Sequence, residues 1–382
     1  MIQALCGAAC VADARLLPRL SRSILDPAAI DSARVVVLVI LDGYGSRVAS
    51  GGARLAASAR GALLTRGRLT SVFPSTTAAA LTSIQTGASP GQHGIAGYTL
   101  YLPAARRVVN MVQFTAVDGS TLPERAVEPT RLLPVPTIYE RLAALGVDSV
   151  VVSHLEYARS PLTILHSGET PYRGHRTAAE FAWMLNNEAR RPGRRFIFGY
   201  WAGIDMLAHA YGPASPEVKL EVRLIEEALA QGLLSPLERG SDDVVVIVTA
   251  DHGLAATPKT AAESLPQLAK RAGKLTRSPS GERRAVGLVT TSAAQRSRWA
   301  QEIGERGAVI ALGDAASAGL FGPGPLHDEL EDRVGDTLLL ARGPHSFPFR
   351  PARDDETHAL GAHGSLTSDE MLVPLLAWRF GR

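Results

Sequence analysis

Apolar residues along this chain come in two patterns. In one, they form short continuous runs that end at glycine or acidic residues. In the other, they recur every three or four positions. Residues 244–248 are the clearest run, with Val244, Val245, Val246, Ile247 and Val248 all β-branched. Such a run predicts a strand buried on both faces of a parallel sheet. Residues 35–41 predict a second buried strand, residues 150–152 the centre of a third and shorter one, and residues 196–200 a fourth. Helical patterns separate them. Residues 138–145 look helical and Gly146 stops them. Residues 177–189 predict another helix. Ser215-Pro216 supplies a cap and a first-position proline for a helix whose stripe is Val218, Val222, Ile225 and Leu229. The alternation predicts an α/β fold with a doubly wound, mostly parallel central sheet and helices on both faces.

Other stretches fit that frame less directly. Residues 99–133 read as an irregular excursion or edge hairpin. Tyr157 begins a polar loop that contains Tyr172, Arg173 and His175 and could reach over the strand ends to bind substrate. After Leu254 the pattern changes. Residues 257–280 are charged and partly helical, residues 284–289, 308–312 and 337–340 read as strands, and residues 293–306 as a helix. The division expected is an N-terminal extension over 1–33 and a main domain over 34–382, with a small α/β insertion or subdomain about 257–340 packed beside the main sheet.

The strand ends carry candidate chemistry. The run at 244–248 leads into Asp251-His252-Gly253, and the run at 35–41 into Asp42-Gly43. Open α/β sheets bind ligands at the carboxyl ends of their strands. Asp and His together offer oxygen and nitrogen donors suited to zinc or manganese. Taken singly, Asp42 reads equally well as a turn residue and Asp251 as a helix cap. After the fourth strand, Asp205 and His209 stand four apart, one turn apart on one face of a helix, so both can bind one metal. Pro74-Ser75-Thr76-Thr77 precedes an alanine-rich stretch ended by Gly87. Ser75 or Thr76 can cap a helix there, and the hydroxyls of Thr76 and Thr77 would sit where amides and the dipole favour an anion. Plain capping is the simpler reading of Ser-Thr-Thr alone. His93, in the glycine-rich loop 89–98, can be structural. His363, between Gly361 and Gly364, has a setting that His345 and His358 lack.

Composition narrows the classes. The 382 residues are 46% hydrophobic and 20% charged, as in an ordinary globular protein. Net charge is only +3, and the arginine excess forms no dense basic block with interleaved aromatics, so nucleic acid is not an expected partner. Cys6 and Cys10 fit no common metal or redox spacing. The N-terminus lacks the basic region of a secretory signal, and no apolar run reaches the ~20 residues of a membrane span. A cytoplasmic location is the expectation. Nothing points to a protein partner or an oligomeric state.

Asp42, Thr77, Asp205, His209, Asp251, His252 and His363 together supply three aspartates, three histidines and a hydroxyl. That set can fill two metal sites, and two divalent ions can clamp the attacking and leaving oxygens of an in-line phosphoryl displacement. The same residues carry a family resemblance. Leu41-Asp42-Gly43, Phe73-Pro74-Ser75-Thr76-Thr77 with Thr86-Gly87 and His93-Gly94-Ile95, Asp205-Met206-Leu207-Ala208-His209 with Tyr211-Gly212-Pro213, Asp251-His252-Gly253 and His363-Gly364 resemble the alkaline phosphatase superfamily, nearest its type I phosphodiesterase/nucleotide pyrophosphatase branch. The resemblance implies an alkaline phosphatase-like fold and a metal-dependent phosphoric ester hydrolase acting on a small phosphate ester. It implies that Asp205, His209 and His363 hold one zinc, and that Asp42, Asp251, His252 and the Thr77 oxygen hold the other. Thr77 rather than Thr76 has the family spacing to Thr86-Gly87 for a nucleophile that forms a phospho-threonine intermediate. Manganese is the other metal that suits the ligands.

One position departs from the pattern. Relatives that cleave nucleotide diesters carry an Asn three residues after the nucleophile, where this chain has Ala80, so nucleotide specificity does not carry over; the N–H of Ala78 can serve instead. Other readings within the superfamily are a phosphomonoesterase, a phosphonate hydrolase and a phosphosugar mutase, although the chain is short for the large inserted domain of the cofactor-independent mutases. A sulfatase is excluded, because no Cys or Ser stands in a Cys/Ser-x-Pro-x-Arg setting. The reading from a different class is a non-catalytic metal- or ligand-binding protein of this fold.

Overall fold

The computed structural model describes residues 21–22, 24–49, 52–59, 62–240, 242–349 and 359–381. Cys6, Cys10 and His358 lie outside the described residues, as does most of the expected N-terminal extension. The central sheet has seven strands: β1 Val35–Leu41, β2 Leu63–Thr70, β3 Asp148–His154, β4 Tyr172–His175, β5 Arg195–Trp201, β6 Val244–Thr249 and β7 Leu372–Phe380, in the order β2-β7-β6-β1-β5-β3-β4. Five helices matter for the site: α1 Thr77–Thr86, α2 Pro161–Ser167, α3 Ala178–Ala189, α4 Gly203–Tyr211 and α5 Pro216–Leu229.

β1 pairs in parallel with both β5 and β6, so its backbone is saturated on both edges. All seven of its residues are buried. Alternate side chains enter opposite cores. Val35, Val37, Val39 and Leu41 pack with Phe181 and Leu185 of α3 and Val218, Ile225 and Leu229 of α5. Val36, Leu38 and Ile40 pack with Leu81 of α1 and with Ile138 and Leu142. Each such side chain contributes about 1.5–3 kcal/mol by leaving water, so neither face can be turned outward. β7 is antiparallel to both its neighbours and makes the sheet mixed.

Two expectations change here. The stretch from Tyr157 is not a loop. Ser160 caps α2 by accepting the Thr163 N–H, with Pro161 at the first helical position, the same signature as Ser215-Pro216. Tyr172 to His175 then form β4 at the sheet edge, where only His175 is buried, so no apolar run announces the strand. The glycine-rich loop also contains a one-turn helix, Pro90–His93, closed by a reciprocal Ser89–Gln92 capping box. His93 within it is fully buried, bonded to Ser83 Oγ at 2.9 Å and to the Ile95 N–H at 3.1 Å, which is a structural role.

The later stretch forms a four-stranded antiparallel sheet, in the order Ser280–Glu282, Ala285–Leu288, Thr337–Ala341 and Gly307–Ala311. One face holds Val286, Leu288 and Leu339 against Trp299, Leu268 and Phe347. The other packs on the excursion after Gly97, which is a three-stranded sheet of Thr99–Leu102, Arg107–Asn110 and Thr115–Ala116. A fully buried pair rivets this region to the main sheet. Arg284 donates to both carboxylate oxygens of Glu370 at 2.7 and 2.8 Å, and Glu370 also accepts the Ser365 N–H. Among the described residues no helix is long and apolar enough to cross a membrane.

Candidate active site

Asp42 follows the last residue of β1. Its N–H bonds the Trp201 carbonyl of β5 at 2.8 Å, and its own carbonyl accepts the Asp205 N–H at 3.2 Å. Gly43 makes this approach sterically open. It has φ +72°, and a Cβ there would lie 2.7 Å from Leu254 Cδ1 and 2.9 Å from Asp205 Cα. Asp251 and His252 leave the end of β6 beside it. A Cβ on Gly253 would meet the Asp369 carbonyl at 2.2 Å, so the turn after His252 is also open only to glycine. His363 arrives on the return from the second sheet. Asp205 and His209 lie one turn apart on α4, with Asp205 Oδ1 3.4 Å from His209 Nε2.

The seven residues expected from the sequence therefore come together. Thr77 Oγ1 is 3.1 Å from His252 Nε2. His252 Nε2 is 3.4 Å from Asp42 Oδ1 and 3.6 Å from Asp251 Oδ2, and His363 Nε2 is 3.9 Å from Asp205 Oδ1. Donor atoms of Asp42, Asp251 and His252 lie within 4.8 Å of one another, and so do those of Asp205, His252 and His363. His252 is common to both groups, and its ring stacks on His363 with centroids 3.8 Å apart. Its position between the clusters is a difference from the expected division, which gave it to one of them.

The donor set suits cations. Each imidazole has its Nδ1 beside a backbone carbonyl: His209 with Gly361 at 2.9 Å, His363 with Ser75 at 2.9 Å, and His252 with Gly253 at 3.2 Å. Nδ1 donates in each, so each Nε2 presents a lone pair. Those lone pairs face carboxylate oxygens. Asp42 Oδ1, Asp205 Oδ1 and Asp251 Oδ2 are buried and accept no hydrogen bond. Lone pairs turned on one another inside a protein repel unless a positive charge lies between them. Burial, and then the neighbouring Asp251 and Asp205, push the Asp42 carboxyl well above its ordinary range; burial also raises Asp251. Burial, followed by the nearby His252 and His209, drives His363 well below its ordinary value. These residues thus fit divalent ions.

Thr77 is the first residue of α1. Thr76 is its cap in backbone geometry (φ −133°) but makes no side-chain capping bond, and Ser75 Oγ instead donates to the Ser365 carbonyl at 2.8 Å. The amides of the first turn are left without a capping side chain, in the arrangement that binds anions. Thr76 is fully buried, whereas Thr77 is only partly buried and touches His252.

Two residues with roles here gave no signal in the sequence. Tyr200, in β5, donates its hydroxyl to Asp42 Oδ2 and fixes that carboxylate. Glu282, from the edge of the second sheet, places Oε2 3.2 Å from His363 Nδ1. Neither has a motif, and Glu282 reaches His363 only because Arg284 and Glu370 lock the two regions together.

This geometry can be set beside known proteins. A search of curated proteins finds no match. Among solved structures, murine ectonucleotide pyrophosphatase / phosphodiesterase 5 shares the fold at TM-score 0.65 and 15% identity, over 89% of this chain and 87% of its own. The same protein is known as an inactive threonine-to-alanine variant in complex with AMP. Phosphonoacetate hydrolase from Sinorhizobium meliloti 1021, in complex with phosphonoformate, matches at TM-score 0.62 and 20% identity over 90% of both chains. The sequence model of type I phosphodiesterase / nucleotide pyrophosphatase matches residues 36–366, which takes in all but the first residue of β1 and all seven site residues. The chain belongs to the type I phosphodiesterase / nucleotide pyrophosphatase family of hydrolases.

Proposed function

We propose that this chain is a metal-dependent phosphodiesterase that uses Thr77 as its nucleophile. The observation that carries the reading is the position of Thr77 Oγ1, at the open amino end of α1 and 3.1 Å from His252 Nε2, the imidazole common to both donor clusters. Asp205, His209 and His363 would hold one divalent ion, and Asp42, Asp251, His252 and Thr77 the other, with zinc preferred and manganese the alternative. When bound, the two ions supply positive charge that lowers the pKa of the hydroxyl and offsets the charge on the phosphoryl oxygens.

The chain does the positioning. The free first-turn amides of α1, those of Ala78 and Ala79 among them, face the phosphoryl oxygens, and the Ala78 N–H stands in for the absent Asn side chain. The Thr77 hydroxyl gives its proton to solvent as its oxygen bonds to phosphorus. The opposite P–O bond breaks, and the alcohol departs with a proton from solvent. Water then cleaves the phospho-threonine and restores the hydroxyl. Tyr200 holds Asp42 through both half-reactions by the bond to Oδ2.

Hydrolysis of bis(p-nitrophenyl) phosphate and p-nitrophenyl phosphate by the zinc-loaded protein tests this, with mass spectrometry of the quenched enzyme. The expected results are faster diester cleavage and, from the diester, a p-nitrophenylphosphoryl adduct on Thr77. A Thr77→Ala variant with full turnover would defeat the nucleophile. A second reading, phosphonate hydrolysis, is favoured by the fold shared with phosphonoacetate hydrolase, and phosphonoacetate belongs in the same assay.

A further inference from the structure

A cavity of about 610 Å³ opens from the candidate metal centre and runs along α1. Thr77, Leu81 and Gln85 line it, four residues apart on one helix face, so it follows the helix for about 12 Å at 1.5 Å per residue. Further walls come from α2, β3, β4, β5, α4 and the region of the second sheet, with Leu162, Val151, Tyr172, Phe198, Met206 and Phe349 among the lining residues. Among the described residues, the charged ones on its wall are Asp42, Asp205, Glu282 and Arg283. The first two belong to the metal cluster, Glu282 touches His363, and Arg283 is its neighbour in the chain. None of the four comes from α1, α2, β3 or β4.

Most of the polar groups at the far end are already engaged. Thr82 donates to the Ala78 carbonyl at 2.6 Å and accepts from His166 Nε2 at 2.9 Å. His166 Nδ1 accepts from Gln85 Nε2 at 3.0 Å, and Gln85 Oε1 accepts the Tyr139 hydroxyl at 2.7 Å. The chain has one direction, and only the second Gln85 amide hydrogen remains to be offered. Nearby, Ser167 Oγ donates to the Thr163 carbonyl at 2.8 Å and the Tyr172 hydroxyl to the His154 carbonyl at 2.6 Å. His166 is neutral, its pKa lowered by burial to about 3. A base edge, a sugar hydroxyl set or a second phosphate would lose hydrogen bonds to water here and find few partners in exchange.

Building on the proposed function, we infer that the organic group of the substrate ester is neutral and apolar, an alkyl or aryl chain that lies along α1 from Thr77 toward Gln85. That differs from AMP and from phosphonoacetate, the polar and charged molecules bound by the solved relatives.

The test is binding of n-alkylphosphonates, methyl through octyl, to the zinc-loaded protein by calorimetry, which needs no turnover. Affinity should rise about fourfold per methylene as the cavity fills. A flat series overturns the inference. Thr163→Glu, which puts a carboxylate on the α2 wall, should flatten the series, and Leu81→Ala, a milder change, should lower its slope. A slope unchanged in both variants would mean that the chain lies elsewhere and also overturns it. The same series as alkyl p-nitrophenyl phosphates separates the two readings. A rising affinity with no ester hydrolysed defeats the hydrolase and leaves the apolar subsite standing, while ready hydrolysis with no dependence on chain length does the reverse.

Discussion

One end of the cavity opens on the cluster of Asp42, Asp205 and Asp251, each with a buried oxygen that accepts no hydrogen bond and faces a histidine nitrogen. The other end, two turns along the same helix, is lined by Gln85 and His166, which Thr82 and Tyr139 back in one directed chain. Both ends are buried and both contain histidine. The difference between them is saturation. A buried polar group costs free energy unless it is paired, so a closed set stabilises the fold, while an open set persists only where something outside the chain completes it. Burial and residue type alone do not separate these cases.

The sharpest test compares two threonines on α1. Thr77→Ala removes a hydroxyl at the open end and should lower turnover on the order of 10⁴-fold, with the melting temperature nearly unchanged. Thr82→Ala removes one from the closed end, strands the His166 Nε2–H and should cost about 1–3 kcal/mol of stability, with turnover changed little. Melting curves and steady-state rates on both variants decide it. If Thr82→Ala stops turnover or Thr77→Ala unfolds the protein, the contrast between the ends is wrong.

Cation binding gives the next effect in size. An open end that a divalent ion completes should gain stability when the ion is added, by about 2.7 kcal/mol at a hundredfold excess over the dissociation constant. Thermal melts of the chelated protein, with and without zinc or manganese, measure it. A melting temperature that ignores both metals would place the unsatisfied carboxylates outside a metal site.

Much of this was legible in the sequence where the physics is local. A strand buried on both faces must be apolar without a break, so β1 was bounded to the residue. Ser215-Pro216 and the stripe after it gave α5 for the same reason. Asp42, Asp251 and His252 were visible because they end such runs. Partners set by tertiary contact left no local trace. β4 reads Tyr-Arg-Gly-His because an edge strand need not be apolar, and such a stretch is indistinguishable from a loop in sequence. Ser160-Pro161 repeats the start of α5, but the seven residues of α2 are too few for an apolar stripe to declare a helix. Glu282 lies 81 residues before His363 in the chain, and no spacing rule joins them.

Glu282 also extends the comparison beyond the main sheet. Its carboxylate lies 3.2 Å from His363 Nδ1 and shares with the Ser75 carbonyl the one N–H there, as in a carboxylate–histidine–metal arrangement, where loss of the outer partner costs about 10–100-fold in metal affinity. Glu282→Gln should weaken zinc binding to the chelated protein by that factor, with the melting temperature of the metal-free form nearly constant. Competition with a chromophoric chelator gives the value. Unaltered affinity would make Glu282 a packing residue.

The smallest effect concerns protons at the closed end. His166 takes a proton at about 6.5 when unfolded but only near 3 when folded, because burial disfavours the charged ring. Between those values the unfolded state binds more protons, so the stabilisation is complete above about pH 6.5 and is lost as pH falls toward 3. The slope for one such histidine is about 1.4 kcal/mol per pH unit. His93, also buried and lowered mainly by burial, adds in the same direction. Metal release from the open end would steepen acid unfolding as well, so the measurement belongs on the chelated protein. Urea unfolding of wild type and His166→Gln from pH 7 to pH 5 isolates the contribution. The variant gives up the Thr82–Gln85 linkage at every pH, but its stability should fall less steeply with acid. Parallel slopes in the two proteins would mean that His166 already carries its proton in the fold, and that the far end of the cavity is charged rather than closed.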